Sequence, residues 1–265
     1  MTGVVSNFNG TIRRLRWEAA LGLIFPESCQ LCREERARAA DGYVGMNCRK
    51  AVQPLESPFC RRCGLPFPGA ITDTFDCANC ADRDLAFESA RAAVIAKGPV
   101  LDAIHRFKYS EARWFEAFLS RLLIEAALPQ LAGAGWTLVV PVPLHPVKQR
   151  ERGFNQAELL ARPLARALGI PMRTDLVRRI EPTRTQTALS RDARAENVRR
   201  AFTTDTIRRF PFFKPVAPGR LDGERVIVVD DVLTTGATAN GVALQLRRLG
   251  AESICVWSVA RAILD

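Results

Sequence analysis

Val226-Ile227-Val228-Val229-Asp230-Asp231-Val232-Leu233-Thr234-Thr235-Gly236-Ala237-Thr238 is the stretch on which the reading of this chain turns. Four consecutive β-branched residues predict a strand buried on both faces. Two adjacent carboxylates cannot be buried beside them without a large desolvation penalty, so the acids are expected to emerge at the sheet edge. Three threonines around Gly236 then lead into a periodic apolar run, residues 238–249, that predicts a helix stopped by Gly250. Hydroxyls and backbone N–H groups therefore converge at a helix N-terminus, an arrangement that cradles phosphate. No Gly-Lys-[Ser/Thr] and no G-x-G-x-x-G turn is present here, which excludes a Walker A loop and a dinucleotide fingerprint. A lone Asp-Asp reads as a solvated strand end. Combined with this loop, the pair suits a vicinal diol, each carboxylate accepting from a ribose hydroxyl while the loop holds a 5′-phosphate.

Outward from this stretch, residues 90–96, 136–142, 176–180, 225–229 and 253–259 read as strands, and 99–107, 112–128 and 155–168 as helices. The alternation predicts an α/β fold with a mainly parallel sheet covered on both faces, whose ligands bind at the carboxyl ends of the strands. Cys255, inside an apolar run, reads as a buried strand residue. Residues 205–223, rich in Pro, Phe and Arg, read as a surface excursion between strands.

Residues 26–84 have a different character: short segments broken by Pro, Gly and Cys, with too few apolar residues for a core. Cys29/Cys32, Cys60/Cys63 and Cys77/Cys80 form C-x2-C pairs, and Cys48 stands between the first two. Two residues between cysteines let both sulfurs of a tight turn face one tetrahedral ion, so Zn2+ is expected to stabilise this module. An odd cysteine count in this stretch argues against a disulfide framework. Residues 1–25 contain Arg13, Arg14 and Arg16 and a short apolar run without a small-residue cleavage site, and 11–25 read as an amphipathic helix rather than a secretory signal. The division expected is an N-terminal helix at 1–25, a zinc module at 26–84 and an α/β domain at 85–265. With no apolar run near the ~20 residues that span a bilayer, the protein is expected to be cytoplasmic with no membrane partner.

The net charge is +10, and where it sits matters more than its sum. Residues 1–90 hold 11 Lys+Arg and 11 Asp+Glu, so the whole excess lies in residues 91–265. Four thiolates around one Zn2+ sum to −2, which makes the cysteine-rich part more negative still. A zinc module gripping phosphates by charge alone is therefore not expected.

The acid-pair loop resembles the motif with which type I phosphoribosyltransferases bind phosphoribosyl pyrophosphate (PRPP). Phe107-Lys108-Tyr109, Val140-Pro141-Val142-Pro143-Leu144, Arg152-Gly153-Phe154-Asn155-Gln156, and Gln186-Thr187-Ala188-Leu189-Ser190 through Arg194, Asn197 and Ala201-Phe202 follow the paired cysteines in this order. The whole resembles the ComF family. Membership implies a double zinc ribbon followed by a type I phosphoribosyltransferase domain, and a link in some members to natural competence and DNA uptake. By the resemblance, Asp230 and Asp231 hold the ribose hydroxyls, and Thr234, Thr235, Gly236, Ala237 and Thr238 hold the 5′-phosphate. Lys148, Arg150 and Arg152 supply positive charge for pyrophosphate in the loop after the 136–142 strand, with Arg152 the best single choice; a merely solvated basic loop is the alternative. Arg178, Arg179, Arg184 and Arg191 flank a segment corresponding to a mobile hood.

Cys48 aligns with the second cysteine of the family's second C-x2-C pair, and Gly45 occupies the place of the first. The site of Cys29, Cys32 and Cys48 thus lacks a thiolate: either water or another side chain completes it, or it holds zinc weakly or not at all. The site of Cys60, Cys63, Cys77 and Cys80 is complete. Two functions compete. One is phosphoribosyl transfer from Mg2+-PRPP to a nitrogen acceptor. The other is a non-catalytic nucleotide sensor or single-stranded DNA binder in DNA uptake, its ribbon contacting a partner such as a helicase, with Trp114, Trp136, Phe212 and Phe213 as candidate stacking residues.

Overall fold

The computed structural model describes residues 27–67, 69, 75–81, 83–181, 201–204 and 219–263. The expected helix at 11–25, Arg184, residues 186–200 with Arg191, Arg194 and Asn197, and residues 205–218 of the expected surface excursion, with Phe212 and Phe213, lie outside these. In chain order the elements are α1 (Met46–Lys50), α2 (Ala78–Ala81), β1 (Ser89–Ile95), α3 (Gly98–Tyr109), α4 (Glu116–Leu131), β2 (Leu138–Pro141), α5 (Pro146–Arg152) and α6 (Gln156–Leu168). They continue as β3 (Arg178–Arg179), β4 (Phe202–Thr203), β5 (Arg225–Leu233), α7 (Ala237–Arg248) and β6 (Ser253–Arg261).

β1, β6, β5 and β2 form one sheet in that order, and every neighbouring pair is parallel. The strand pleat sorts the side chains by parity. Val139, Ile227, Val229, Cys255 and Trp257 join one buried cluster with α3, α4 and α6. Leu138, Val140, Val226, Val228, Ile254 and Val256 join a second with α7, Leu176 and Phe202. Because each strand is covered on both sides, β-branched runs replace the alternation of a half-exposed sheet.

Three local details differ from the sequence reading. The expected strand 176–180 is reduced to Arg178–Arg179, which pairs antiparallel with β4 outside the main sheet, while Leu176 and Val177 are buried before it. Residues after β2 were expected to be a loop, yet Pro146–Arg152 is a helix: Pro146 sits at its first turn and His145 Nδ1 accepts from the Val147 N–H at 3.3 Å. The expected helix 112–128 is instead a 3-10 turn, Arg113–Phe115, followed by Glu116–Leu131. Among the described residues no helix is long and apolar enough to cross a membrane.

The cysteine-rich segment is built onto the α/β unit rather than tethered to it. Leu55 N–H donates to the Ala93 carbonyl at 3.1 Å and Ala90 N–H to that of Arg62 at 2.7 Å. Arg106 of α3 donates to the Gln30 carbonyl, and Arg121 of α4 reaches Asp41 at 3.2 Å. Val44, Leu31 and Cys48 pack against the larger core cluster. The module therefore borrows apolar contacts from its neighbour.

Candidate functional site

β2 ends at Pro141, opposite Val229, whereas β5 runs on to Leu233 beside β6. Among the described residues, β5 thus has an open edge from Asp230 onward on the side that β2 has left. The acids lie within the strand, not beyond its end, and Asp231 is 7% exposed, contrary to the expectation that neither could be buried. The compensation is a cation: Lys108, near the C-terminus of α3, places Nζ 3.0 Å from Asp231 Oδ2. Alternation along the strand gives Asp231 the face of α3 and Asp230 the face of α7. Asp230 Oδ1 accepts from the Asp231 N–H at 2.8 Å. Burial, and then the neighbouring Asp231 charge, push the Asp230 carboxyl up to about 7, against the pull of Lys108 and Arg179.

Three motifs separated in sequence converge here. Phe107 and Phe154 pack at 5.3 Å between ring centroids, and the Arg152 guanidinium lies 4.8 Å over the Tyr109 ring. Gly153 ends α5 at φ 74°, a left-handed conformation that favours glycine. Asn155 then caps α6, accepting from Ala157 N–H, and ties the segment to the residue just after β2 by donating to the Val142 carbonyl at 3.1 Å. Lys148 lies one turn before Arg152 on α5. Arg179 of β3 lies within electrostatic reach of Asp230 and Arg152; burial holds it below the usual arginine range, with Asp230 opposing and Arg152 adding to the shift.

Gly236, at φ 77°, turns the chain from β5 into α7, whose first residue is Ala237. Thr234 and Thr235 are exposed beside it. The loop is held from behind. Arg83 donates to the Thr235 carbonyl at 3.1 Å, and buried Arg261 donates to the carbonyls of Leu233 and Thr234. Ala237 N–H donates to Thr235 Oγ1 at 3.4 Å, so with carbonyls occupied on the rear it is the hydroxyl protons and the other N–H groups at the start of α7 that are placed to meet an anion.

The cysteines gather into two centres. Cys60, Cys63, Cys77 and Cys80 place their sulfurs within 4.8 Å of one another, and Cys63 and Cys77 Sγ are 3.5 Å apart. Zn–S bonds of ~2.3 Å give a tetrahedral edge of about 3.8 Å, which these separations fit, whereas a disulfide needs about 2 Å. The second centre comprises Cys29, Cys32, Cys48 and, unanticipated from the sequence, Glu35. The two first knuckles share a conformation: Arg33 and Gly64, each following the second cysteine of a pair, both have φ 64°. Their N–H groups donate to the carbonyls of Cys29 and Cys60, both at 2.9 Å.

The sequence places Lys108 in the Phe-Lys-Tyr motif and Arg179 beside the hood segment without a role for either, and offers no signal for Glu35 or Arg261 as site residues.

A double zinc ribbon joined to a type I phosphoribosyltransferase fold is the class these features define. The chain matches the double zinc ribbon domain over residues 20–82 and the phosphoribosyl transferase domain over residues 155–263. It is 33% identical over 238 residues to competence protein F of Haemophilus influenzae, covering 88% of this chain and 96% of that one. Identity is 31% to DNA utilization protein YhgH of Salmonella typhimurium, over 91% of this chain and all of the relative. Competence protein ComFC of Bacillus subtilis matches at 26% over 84% of the chain and 85% of its own length. The chain belongs to the ComF family, and its ribbon and cysteine clusters support structural zinc.

Proposed function

We propose that this protein binds Mg2+-PRPP at the open edge of β5 and transfers the phosphoribosyl group to a nitrogen acceptor. The observation that carries the reading is the acid pair on a strand edge that is unpaired among the described residues, followed within a few residues by a glycine turn into α7. A ribose lying in the plane of the sheet at that edge meets Asp230 from one face and Asp231 from the other. Its 5′-phosphate falls to Thr234, Thr235, Gly236, Ala237 and Thr238. Arg152 and Lys148 on α5 face the diphosphate, with Arg179 near Asp230.

In the reaction the bond from ribose C1 to the pyrophosphate oxygen breaks, its electron pair leaving with pyrophosphate. A nitrogen lone pair forms the new bond to C1, and the nitrogen loses a proton to solvent. Mg2+ carried by the incoming diphosphate would supply neutralisation of the charge that develops on the leaving group. The side chains' work is to anchor both ends of the sugar and to stabilise the departing anion, where a single well-placed donor contributes ~3 kcal/mol. No side chain needs to act as nucleophile.

The test is calorimetry with PRPP and Mg2+, followed by a pyrophosphate-release assay over a panel of bases and amines. PRPP binding that needs the acid pair supports the reading; no binding at millimolar PRPP overturns it. Binding without pyrophosphate release from any acceptor favours the second reading, a cytoplasmic nucleotide-sensing or single-stranded DNA factor with a partner such as a helicase. The basic excess in residues 91–265 and the competence and DNA-utilization names of the relatives favour that alternative.

A further inference from the structure

The chain carries its own comparison for the incomplete zinc centre. In the complete one, Cys77 directly precedes α2 and Cys80 lies within it. In the other, Gly45 directly precedes α1 and Cys48 lies within it, at the same spacing. Gly45 therefore stands where the fourth thiolate belongs. Its backbone, at φ −76° and ψ 172°, is one that any residue adopts, so the reason for glycine is not conformational.

The reason is space. A Cβ on Gly45 would lie 2.1 Å from Glu35 Cδ, 2.3 Å from Cγ and 2.5 Å from Oε1. The Glu35 carboxyl fills the volume that a cysteine side chain at position 45 would enter. It is fixed there from three sides. Oε2 accepts from Asn47 N–H at 2.9 Å, Oε1 accepts from Cys48 N–H at 3.2 Å, and Oε1 stands 3.8 Å from Cys32 Sγ. Glu35 itself belongs to the first knuckle, its carbonyl accepting from Cys29 N–H at 2.7 Å. Cys29 and Cys48 Sγ, at 3.6 Å, are spaced for one tetrahedral ion.

We infer that Glu35 is the fourth ligand of the N-terminal zinc centre, and that Glu35 and Gly45 are a reciprocal pair: the carboxylate ligates because the glycine makes room for it. The carboxylate keeps the formal charge of the four-thiolate centre, −2 with Zn2+, so the surrounding structure faces the same electrostatics. Carboxylate oxygen is an accepted Zn2+ ligand but a harder donor than thiolate. The centre therefore holds zinc, and releases it faster than the four-cysteine centre.

The competing role for Glu35 is to cap α1 and nothing more, and the experiment separates the two. Zinc-loaded full-length wild type, Glu35→Gln, Glu35→Ala and the double variant Glu35→Ala/Gly45→Cys are compared for zinc content and for release to a colorimetric chelator. Wild type is expected to carry two zinc ions per chain and release them in two phases. Glu35→Gln, which preserves an oxygen for capping, should speed the fast phase at least tenfold or lose that ion. The double variant, which restores a fourth thiolate but supplies a poor cap, should regain two ions and release the second at or below the wild-type rate. Wild-type release from Glu35→Gln would overturn the proposal. So would a double variant no better than Glu35→Ala, since a cap is not replaced by a thiol.

Discussion

Arg261 Nη2 lies 3.9 Å from Cys63 Sγ, across 198 residues of sequence, while Nη1 of the same guanidinium donates to the Leu233 carbonyl at 2.9 Å and to that of Thr234. One buried side chain thus touches the four-cysteine centre and holds the back of the loop before α7. Zinc-bound thiolates carry net negative charge, which strengthens the hold on the guanidinium.

Arg261→Met should consequently disturb the loop as well as the fold. Hydrogen bonds from a charged donor contribute ~1.5 to 3 kcal/mol each, and two carbonyls lose theirs. The expected result is a lowered Tm together with weaker PRPP binding, and partial mimicry of both when the four-cysteine centre is stripped of zinc. Calorimetry on folded Arg261→Met checks it: unchanged PRPP affinity would mean that the loop does not depend on this contact.

The Lys108–Asp231 pair, 20% and 10% exposed at its side chains, should behave as a buried ion pair. Lys108→Met leaves Asp231 without its partner and should destabilise the protein by about 3 kcal/mol. Lys108→Met/Asp231→Asn should recover much of that loss in urea unfolding, because no orphan charge remains. Additive losses in the double variant would show that the two side chains are not energetically coupled.

Replacing Asp230 and Asp231 together by Asn removes two charged acceptors, each contributing ~1.5 to 3 kcal/mol toward ribose hydroxyls. PRPP affinity should fall by more than about 100-fold. Circular dichroism would establish that the fold survives, and equal affinity in wild type and variant would remove the central functional claim.

Asp230, pushed up to about 7, makes binding depend on pH. Its proton is held more tightly in the folded than in the unfolded chain. Its contribution to stability is therefore full below the ordinary carboxylate range and is lost as pH rises through about 7. Accepting from a ribose hydroxyl requires the ionised form, so PRPP affinity should rise with pH up to about 7 and level off above it, over the range where stability falls. Asp230→Asn should abolish that rise and increase Tm at pH 8. A pH-independent PRPP affinity in wild type would contradict the assignment.

Should nucleic acid be a partner, its binding ought to weaken steeply with salt and to involve residues beyond 90, where the positive excess lies. Crosslinks from photoreactive single-stranded DNA confined to the zinc module would show the charge argument to be wrong.

The parallel sheet, the order of its strands and helices, the loop before α7 and the cysteine pairs were legible because each rests on local pattern. Apolar runs, a glycine turn and C-x2-C spacing specify backbone and metal geometry within a dozen residues. The short helix Pro146–Arg152 escaped for the same reason: seven residues, five of them polar or charged, carry too little periodicity to distinguish a helix from a basic loop.

By itself, the sequence determined that two carboxylates follow an apolar β-branched run, that a glycine turn into a helix follows them, and that one cysteine position is filled by glycine. Only the tertiary structure decided how those acids are buried and how that centre is completed. Lys108 reaches Asp231 from the end of α3, the helix that follows edge strand β1, and Glu35 enters the space beside Gly45 through the fold of a knuckle. Both are compensations between charges or volumes brought together by packing. A burial penalty is visible in sequence as soon as a carboxylate follows an apolar run, but the partner that offsets it is fixed by where distant elements meet.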